Sequence, residues 1–200
     1  YFDAGTGTIT DCDTTVTAAN IPAEIYGVPV TAIGQNAFHS CSSLTAVTIP
    51  STVTSIGQNV FFNCTSLTSI VIPDSVTEIR NDMFNGCTSL SNVQLSRNLT
   101  AIPNSMFRFC TSLTSVTIPS GVTSIGDDAF QSSGLTSITI PDSVTEIGDD
   151  AFSFCADLQS VDLGSGVVYI GSRGFASCTS LTDVTLSPAM TEIGSSLFRF

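Results

Sequence analysis

The chain repeats itself at an almost constant interval, and this periodicity constrains the fold more than any other feature. A leucine that opens a strand-like segment returns at seven positions separated by 23 or 22 residues: Leu44, Leu67, Leu90, Leu113, Leu135, Leu158 and Leu181. A phenylalanine keeps the same spacing from Phe38 to Phe198. An isoleucine does so from Ile33 to Ile193. Three residue types in phase over so many turns predict a solenoid, in which each unit stacks on the next.

Each repeat contains three segments with different patterns. The first, Leu-x-x-Val-x-Ile, alternates apolar and polar residues and predicts a short strand that ends at a proline such as Pro50. The second, Val-Thr-Ser-Ile, predicts another short extended piece and ends at a glycine such as Gly57. The third is a polar pair followed by Ala-Phe-x-x-Cys, which predicts one capped helical turn. The single 22-residue step lacks one residue and the usual cysteine, and Gly134 is expected to tighten the turn there.

A single repeat is too small to fold alone. It buries about six apolar side chains, each contributing roughly 1.5–3 kcal/mol. Ordering its residues costs on the order of 1.5 kcal/mol each, which is more than that burial supplies. Neighbouring repeats must therefore pair their strands and complete each other's core.

The repeat Leu-Thr-Ser-Val-Thr-Ile-Pro-x-x-Val-Thr-Ser-Ile-Gly-x-x-Ala-Phe-x-x-Cys resembles the BspA-type leucine-rich repeat over about residues 30–200. The resemblance implies an α/β solenoid, a right-handed coil of about 7–8 repeats of 23 residues. Its parallel β-sheet is expected on the concave face, with short strands and helical turns on the convex face. The resemblance also implies a non-enzymatic adhesion protein that is secreted or lies on a cell surface.

Two regions are expected along the chain. Residues 1–29 are predicted to form an N-terminal capping hairpin, built from residues 2–4 and 8–10, and a degenerate first repeat with a strand within residues 16–22. Residues 30–200 form the repeat array. The array is expected to stop in the middle of a repeat, because related units continue to a cysteine after the residues that match Phe198, Arg199 and Phe200. We therefore expect a segment of a longer protein.

Composition excludes several classes of function. The formal net charge is -12 and the five basic residues are all arginines, which argues against nucleic-acid partners. No window approaches 18 apolar residues, so membrane insertion is not expected. The chain has one imidazole, His39, and no G-x-S-x-G motif, so we expect no enzyme and no cofactor. A hydrophobic content of 42% and a mean hydropathy of +0.37 exclude a disordered acidic chain.

Six of the seven cysteines occupy one position of the repeat, three residues after the phenylalanine. They are Cys41, Cys64, Cys87, Cys110, Cys155 and Cys178. Stacked in register, their side chains would point in parallel into the core, which fits disulfide geometry poorly. With a single histidine there is no zinc pattern either, so they are expected to be free, buried thiols. Cys12 lies in the cap, and the sequence names no partner for it.

The outward positions of the longer strand form columns rich in serine and threonine. These residues suit a ligand-binding sheet face, although hydroxyl ladders also simply stabilise neighbouring strands. The candidate binding residues on the predicted concave face are Asn92, Gln94, Thr117, Thr139, Asp162 and Asp183. The face lacks tryptophan, tyrosine and arginine, the usual hot-spot residues, so no compact protein epitope is visible.

Two aspartate pairs form a weaker candidate site for a metal. Asp127 and Asp128 occupy the same repeat position as Asp149 and Asp150, so stacking would bring four carboxylates near one another. Calcium prefers several such oxygens. The alternative is capping of free backbone N–H groups, and it is favoured because other repeats place Gln-Asn or Ser-Ser there.

The sequence favours a monomeric binding or adhesion module that recognises an extracellular or host-cell protein, or a glycan, on the sheet face. The main alternative is a structural spacer that presents another domain of a longer surface protein. A third interpretation, binding of ice or polysaccharide by threonine columns, is disfavoured because Val71, Gln94 and Asp162 interrupt the columns.

Overall fold

The computed structural model describes residues 1–199, which form a β-solenoid of about 8 turns of about 23 residues with parallel sheets. The predicted solenoid and its period are therefore confirmed. The expected end of the array at Phe200 lies outside the described residues. Within residues 1–199 there is no helix long and apolar enough to cross a membrane.

The N-terminal region contains five short strands. They are β1 (Phe2–Asp3), β2 (Thr8–Ile9), β3 (Ala18–Asn20), β4 (Glu24–Ile25) and β5 (Val28–Pro29). The predicted hairpin is present, because β1 and β2 pair antiparallel. A second antiparallel hairpin joins β4 and β5. The degenerate first strand is β3, which pairs with the first regular repeat through Ala18 and Ala46.

Two kinds of strand then alternate along the array, with one exception. The two-residue strands are β6 (Ala32–Ile33), β8 (Ser55–Ile56), β10 (Glu78–Ile79), β12 (Ala101–Ile102), β13 (Ser124–Ile125), β15 (Glu146–Ile147), β17 (Tyr169–Ile170) and β19 (Glu192–Ile193). The three-residue strands are β7 (Ala46–Thr48), β9 (Ser69–Val71), β11 (Asn92–Gln94), β14 (Ser137–Thr139), β16 (Ser160–Asp162) and β18 (Asp183–Thr185). Between β12 and β13 the described residues form no three-residue strand. Equivalent residues of successive repeats pair in parallel, so the sequence period becomes the sheet register.

Each kind of strand forms two sheets rather than one. The short strands form the orders β1-β2-β6-β8-β10 and β12-β13-β15-β17-β19, and the long strands form β11-β9-β7-β3 and β14-β16-β18. The short-strand break coincides with Pro103. Its counterparts Arg80 and Gly126 donate backbone N–H groups to Ile56 and Ile102 at 3.0 and 2.8 Å. Proline has no N–H group, so this bond cannot form between β10 and β12.

The predicted helical turns are wrong: the described residues contain no helix. The segment after each glycine consists of tight turns with two left-handed residues, for example Asp128 at φ 54 and Ser132 at φ 56. Left-handed residues four apart interrupt a right-handed helix, and aspartate, asparagine and serine accept that conformation more readily than most residues. The turns instead bond across repeats, as where Phe130 N–H donates to the Ala151 carbonyl at 2.8 Å.

The core is one continuous cluster from Ile9 to Leu197. Its axis is a stack of the repeat phenylalanines, whose neighbouring ring centroids lie 5.2 to 5.7 Å apart from Phe38 to Phe198. Offset stacked rings at such distances attract one another in addition to the area that they bury. The stack is the physical consequence of the phenylalanine period.

The cysteine column lies beside this stack. Cys64 Sγ donates to the Phe38 carbonyl at 3.1 Å, and the same contact recurs for Cys87, Cys110, Cys155 and Cys178. The prediction of free, buried thiols is confirmed for these five residues. In the shorter repeat Ser133 takes the cysteine position, with its Oγ 3.3 Å from Cys155 Sγ. Gly134 is needed there for close approach, since a Cβ atom would lie 2.2 Å from the Thr111 carbonyl oxygen.

Candidate ligand-binding face

The long-strand face consists of the outward side chains of the three-residue strands and of residues 115–117, which lie between β11 and β14. The face exists because successive side chains of a strand point to opposite sides of the sheet. In β7, Val47 is buried, whereas Ala46 and Thr48 on either side of it are exposed. All six predicted site residues are on this face and all six are exposed. The face therefore presents their polar groups to solvent.

The structure divides these six residues between two sheets. Asn92 and Gln94 lie on β11, at the edge of the first long-strand sheet. Thr139, Asp162 and Asp183 lie on β14, β16 and β18 of the second. Thr117 belongs to the segment 115–117, which is not a strand and joins neither sheet. The candidates thus form two groups, with Thr117 between them, rather than one continuous site.

The first group borders a shallow depression of about 390 Å³. Asn92 pairs with Ser69, and Gln94 pairs with Val71, which exposes 54% of its surface. The depression therefore combines two side-chain amides with an exposed aliphatic group. Amides donate and accept hydrogen bonds, and Val71 adds apolar area, so this depression is suited to a polar ligand that also has an apolar surface.

A second depression of about 220 Å³ lies between β11 and the segment 115–117. It is lined by Gln94, Arg97 and Thr117, together with apolar neighbours. Arg97 Nε lies 3.5 Å from Asp74 Oδ2 in an exposed ion pair. Arg97 is therefore a functional candidate at the border of this face.

The second group contains one residue with a structural task. Asp162 lies between Thr139 and Thr185 in the ladder, and its Oδ1 accepts the Gly164 N–H at 3.0 Å. Gly164 has φ 61 and stands where most repeats have proline, so the carboxylate stabilises a turn that proline would otherwise fix. The departure of Asp162 from the repeat pattern is therefore explained by folding. Asp183 lies beside Ser160 and is exposed.

The hydroxyl groups of the first outward column serve the stack itself. They donate to a backbone carbonyl of the preceding repeat at 2.8 to 3.4 Å in the pairs Thr45–Thr17, Ser91–Thr68, Thr136–Thr114 and Thr182–Gln159. These bonds support the stabilising interpretation of the serine and threonine columns for this position.

The four aspartates of the metal candidate are engaged by protein donors. Asp127 Oδ1 accepts the Asp149 N–H at 2.9 Å, and Asp149 Oδ1 accepts the Ser172 N–H at 2.6 Å. These side chains therefore cap backbone N–H groups of the following repeat. Within residues 1–199 no group of three or more histidine, cysteine or acidic side chains could hold a metal ion.

The second aspartate of each pair contacts a side chain instead. Asp128 Oδ1 accepts from Gln131 Nε2 at 2.7 Å, and Asp150 forms an ion pair with Arg173. Burial raises the pKa of the Asp128 carboxyl, while the charge of Arg108 acts in the opposite direction. The carboxylates are thus distributed among separate partners.

His39 is exposed and lies on a turn. Its Nδ1 is 2.9 Å from Ser40 Oγ, and its ring stacks on Phe62 with centroids 5.0 Å apart. Both contacts are with exposed or half-buried turn residues outside the long-strand face.

The turns also carry exposed aromatic residues that sequence reasoning missed. Phe154 exposes 57% of its surface, and Phe109 lies under the Arg108 guanidinium with the Cζ atom 4.8 Å from the ring centroid. The signal was available, because this repeat position, two residues after the core phenylalanine, otherwise holds small or polar residues such as Ser40 and Asn63.

A parallel solenoid with a Leu-x-x-Val-x-Ile strand in each turn is a leucine-rich repeat protein. The model of the BspA type leucine rich repeat region matches the chain in six copies over residues 31–159 and 102–200. The chain belongs to this family. A comparison with curated proteins gives no match.

Solved structures show the same architecture. The chain is 32% identical to a leucine rich repeat protein of T. pallidum, with a TM-score of 0.68 over 94% of this chain and 77% of that one. It is 26% identical to a leucine rich cell surface protein of Faecalibacterium prausnitzii, with a TM-score of 0.60 over 92% of this chain and 73% of the other. The pneumococcal vaccine antigen PcpA shares the fold at 16% identity and a TM-score of 0.53, over 90% of this chain and 55% of that one.

Proposed function

We propose that the chain is a non-enzymatic binding module of a secreted or cell-surface protein, and that it recognises a protein or glycan ligand through the long-strand face. The observation that carries the proposal is the depression bordered by Asn92, Gln94 and Val71. There, exposed amides and an aliphatic side chain project from neighbouring strands whose register is set by the repeat. The strand backbones that carry them are ordered before a ligand binds, which lowers the entropy cost of binding.

The surface location rests on family membership and on the similarity to a solved cell surface protein at 26% identity. The face is acidic or neutral over most of its length, and the chain has no lysine. Binding is therefore expected to depend on hydrogen bonds and shape rather than on attraction to an anionic partner. Affinity would accumulate from several modest contacts along the sheet.

The test is a binding screen of the purified chain against immobilised fibronectin, laminin and fibrinogen and against a glycan array. A hit should weaken at least about tenfold when Asn92→Ala and Gln94→Ala are combined, which corresponds to about 1.4 kcal/mol. The matched control combines Gln58→Ala and Asn81→Ala. It removes the same kinds of side chain from exposed turn positions outside the face and should leave the affinity unchanged.

A structural spacer remains the second candidate, and a specific observation favours it. The first hydroxyl column and Asp162 are used to hold the stack and a turn together. A spacer would give no hit in the screen, or a hit that responds equally to the two double substitutions. In that case the activity of a protein carrying these repeats would be unaffected by Gln94→Ala.

A further inference from the structure

Two cysteines from different parts of the chain meet at the N-terminal end of the array. Cys12 lies in the connection between β2 and β3, and Cys41 is the first member of the cysteine column. Their Sγ atoms are 3.0 Å apart. Cys41 is 1% exposed, whereas Cys12 is half-buried and accessible from solvent. Both are thiols in the structure.

Cys41 differs from the rest of its column. The later cysteines donate to the carbonyl of a core phenylalanine in the preceding repeat, as Cys64 does to Phe38 at 3.1 Å and Cys87 to Phe61 at 3.0 Å. The region that precedes Cys41 is the cap, which has no such phenylalanine. For Cys41, the Cys12 thiol occupies the position that a phenylalanine carbonyl has beside the later cysteines. This pairing of two sulfurs is thus specific to the first repeat.

We propose that Cys12 and Cys41 form a disulfide bond that ties the N-terminal cap to the first repeat. A disulfide needs a sulfur–sulfur distance of about 2.04 Å, so the two atoms have to approach by about 1 Å. The cap loop that carries Cys12 is exposed on most of its residues and can supply this movement. The bond closes a chain segment that includes β3, β4, β5 and β6, and it restricts the unfolded ensemble accordingly.

The packing between the cap and the array is incomplete, so a crosslink between them would add to the stability of this end of the solenoid. A depression of about 500 Å³ is lined by Ile9, Cys12, Ile21 and Phe38, among others. Ile9 and Ile21 are the buried hydrophobic residues of the region before Val30. Phe2, Val16 and Ala19 are only partly buried against the same core, and opening of the cap would expose Phe38 at the end of the stack. A covalent bond at Cys12 opposes that opening.

The chemistry is thiol–disulfide exchange with an external disulfide as oxidant, either oxidised glutathione or the disulfide form of an oxidoreductase. The Cys12 thiolate attacks one sulfur of the oxidant and displaces one thiolate from it, which forms a mixed disulfide. The Cys41 thiolate then attacks Cys12 Sγ, forms the internal bond and displaces the second thiolate. Two electrons pass to the oxidant, and the two protons lost by the cysteines are taken up by its two thiolates. The more exposed Cys12 is the residue that the oxidant can reach first.

The test uses the whole chain, folded in a glutathione redox buffer, denatured and alkylated before any reduction. Of the 7 cysteines, all but this pair should be alkylated, and reduction should release two further thiols. Cleavage after Glu24 and Glu78 separates Cys12 from Cys41. The fragments 1–24 and 25–78 should therefore stay linked without reductant and separate with it.

Matched variants identify the partners. Cys64→Ser removes the other cysteine of fragment 25–78 and should leave the link intact, whereas Cys12→Ser and Cys41→Ser should each abolish it. Alkylation of all cysteines in the wild-type protein would overturn the proposal, and so would a link that is lost in Cys64→Ser or one that joins two molecules. The measurement is independent of ligand binding, so its failure leaves the proposed function untouched.

Discussion

The ring of Phe130 stacks on the ring of Phe152 with centroids 5.2 Å apart and planes inclined by 4°. These residues hold equivalent positions in successive repeats, and both are fully buried. The contact therefore lies where one repeat completes the core of the next. Its loss should affect two interfaces, because Phe130 also stacks on Phe107 at 5.3 Å.

Phe130→Ala should lower the free energy of unfolding by roughly 3–5 kcal/mol, the usual range for truncating a buried phenylalanine. The control is Phe154→Ala, which removes an exposed ring from a neighbouring repeat and should change stability by less than about 0.5 kcal/mol. Chemical denaturation of both variants measures the difference. Equal effects would mean that the phenylalanine stack does not hold the repeats together.

Pro103 should be the cause of the break in the short-strand ladder. Pro103→Ala restores an N–H group at the position where Arg80 donates to Ile56. We expect the new amide of residue 103 to become protected from hydrogen exchange, because the Ile79 carbonyl is then its partner. An amide at 103 that exchanges as fast as one in an exposed loop would show that the break has another origin.

Much of this fold could be predicted because the repeat fixes which residues become neighbours. The spacing of Leu44 and Leu67 predicts parallel strands in register, and the spacing of Phe61 and Phe84 predicts ring stacking. The helical turn was wrong because Ala-Phe after a polar pair also suits a tight turn. The recurrence of asparagine, aspartate and serine as the second residue of that pair was the available signal for a left-handed residue.

The candidate site was less predictable, because departures from a repeat have more than one cause. Asp162 was selected as a binding candidate, yet it caps the turn at Gly164, a contact that depends on the local backbone. The partner of Cys12 could not be named either, because residues 10–17 do not follow the repeat. Periodicity therefore predicts the scaffold, whereas irregular residues need the three-dimensional structure.

Stability of the reduced protein should fall at high pH because of its buried cysteines. Burial raises the pKa of Cys64 and of Cys178 to about 12, compared with about 8.5 in an unfolded chain. The folded state keeps protons that the unfolded chain has released, so the stabilisation is complete below about pH 8.5 and is lost as the pH rises toward 12.

The expected slope is a loss of up to roughly 1.4 kcal/mol per pH unit for each such thiol above about pH 9. Denaturant unfolding at a series of pH values measures it. Cys178→Ser should reduce the slope, since serine does not titrate there and Ser133 already occupies the equivalent position in another repeat. A slope unchanged by this substitution would show that deprotonation of the Cys178 thiol does not cause the loss of stability at high pH.

Asp149 should act as a backbone cap rather than as a metal ligand. Asp149→Ala removes the acceptor of the Ser172 N–H and should cost about 1 kcal/mol, while Asp149→Asn keeps an oxygen at that position and should cost less. Calcium should leave the melting temperature of the wild-type protein unchanged. An increase with calcium that Asp149→Ala abolishes would instead establish a metal site.

Both the fold and the binding face depend on the claim that equivalent residues of successive repeats are neighbours in space. Nuclear Overhauser effects between the assigned ring protons of the core phenylalanines test it most directly. The structure predicts cross-peaks between Phe61 and Phe84 and between Phe84 and Phe107, whose centroids are 5.7 and 5.6 Å apart. Cross-peaks that link these rings to other parts of the chain but not to one another would contradict the stacked solenoid.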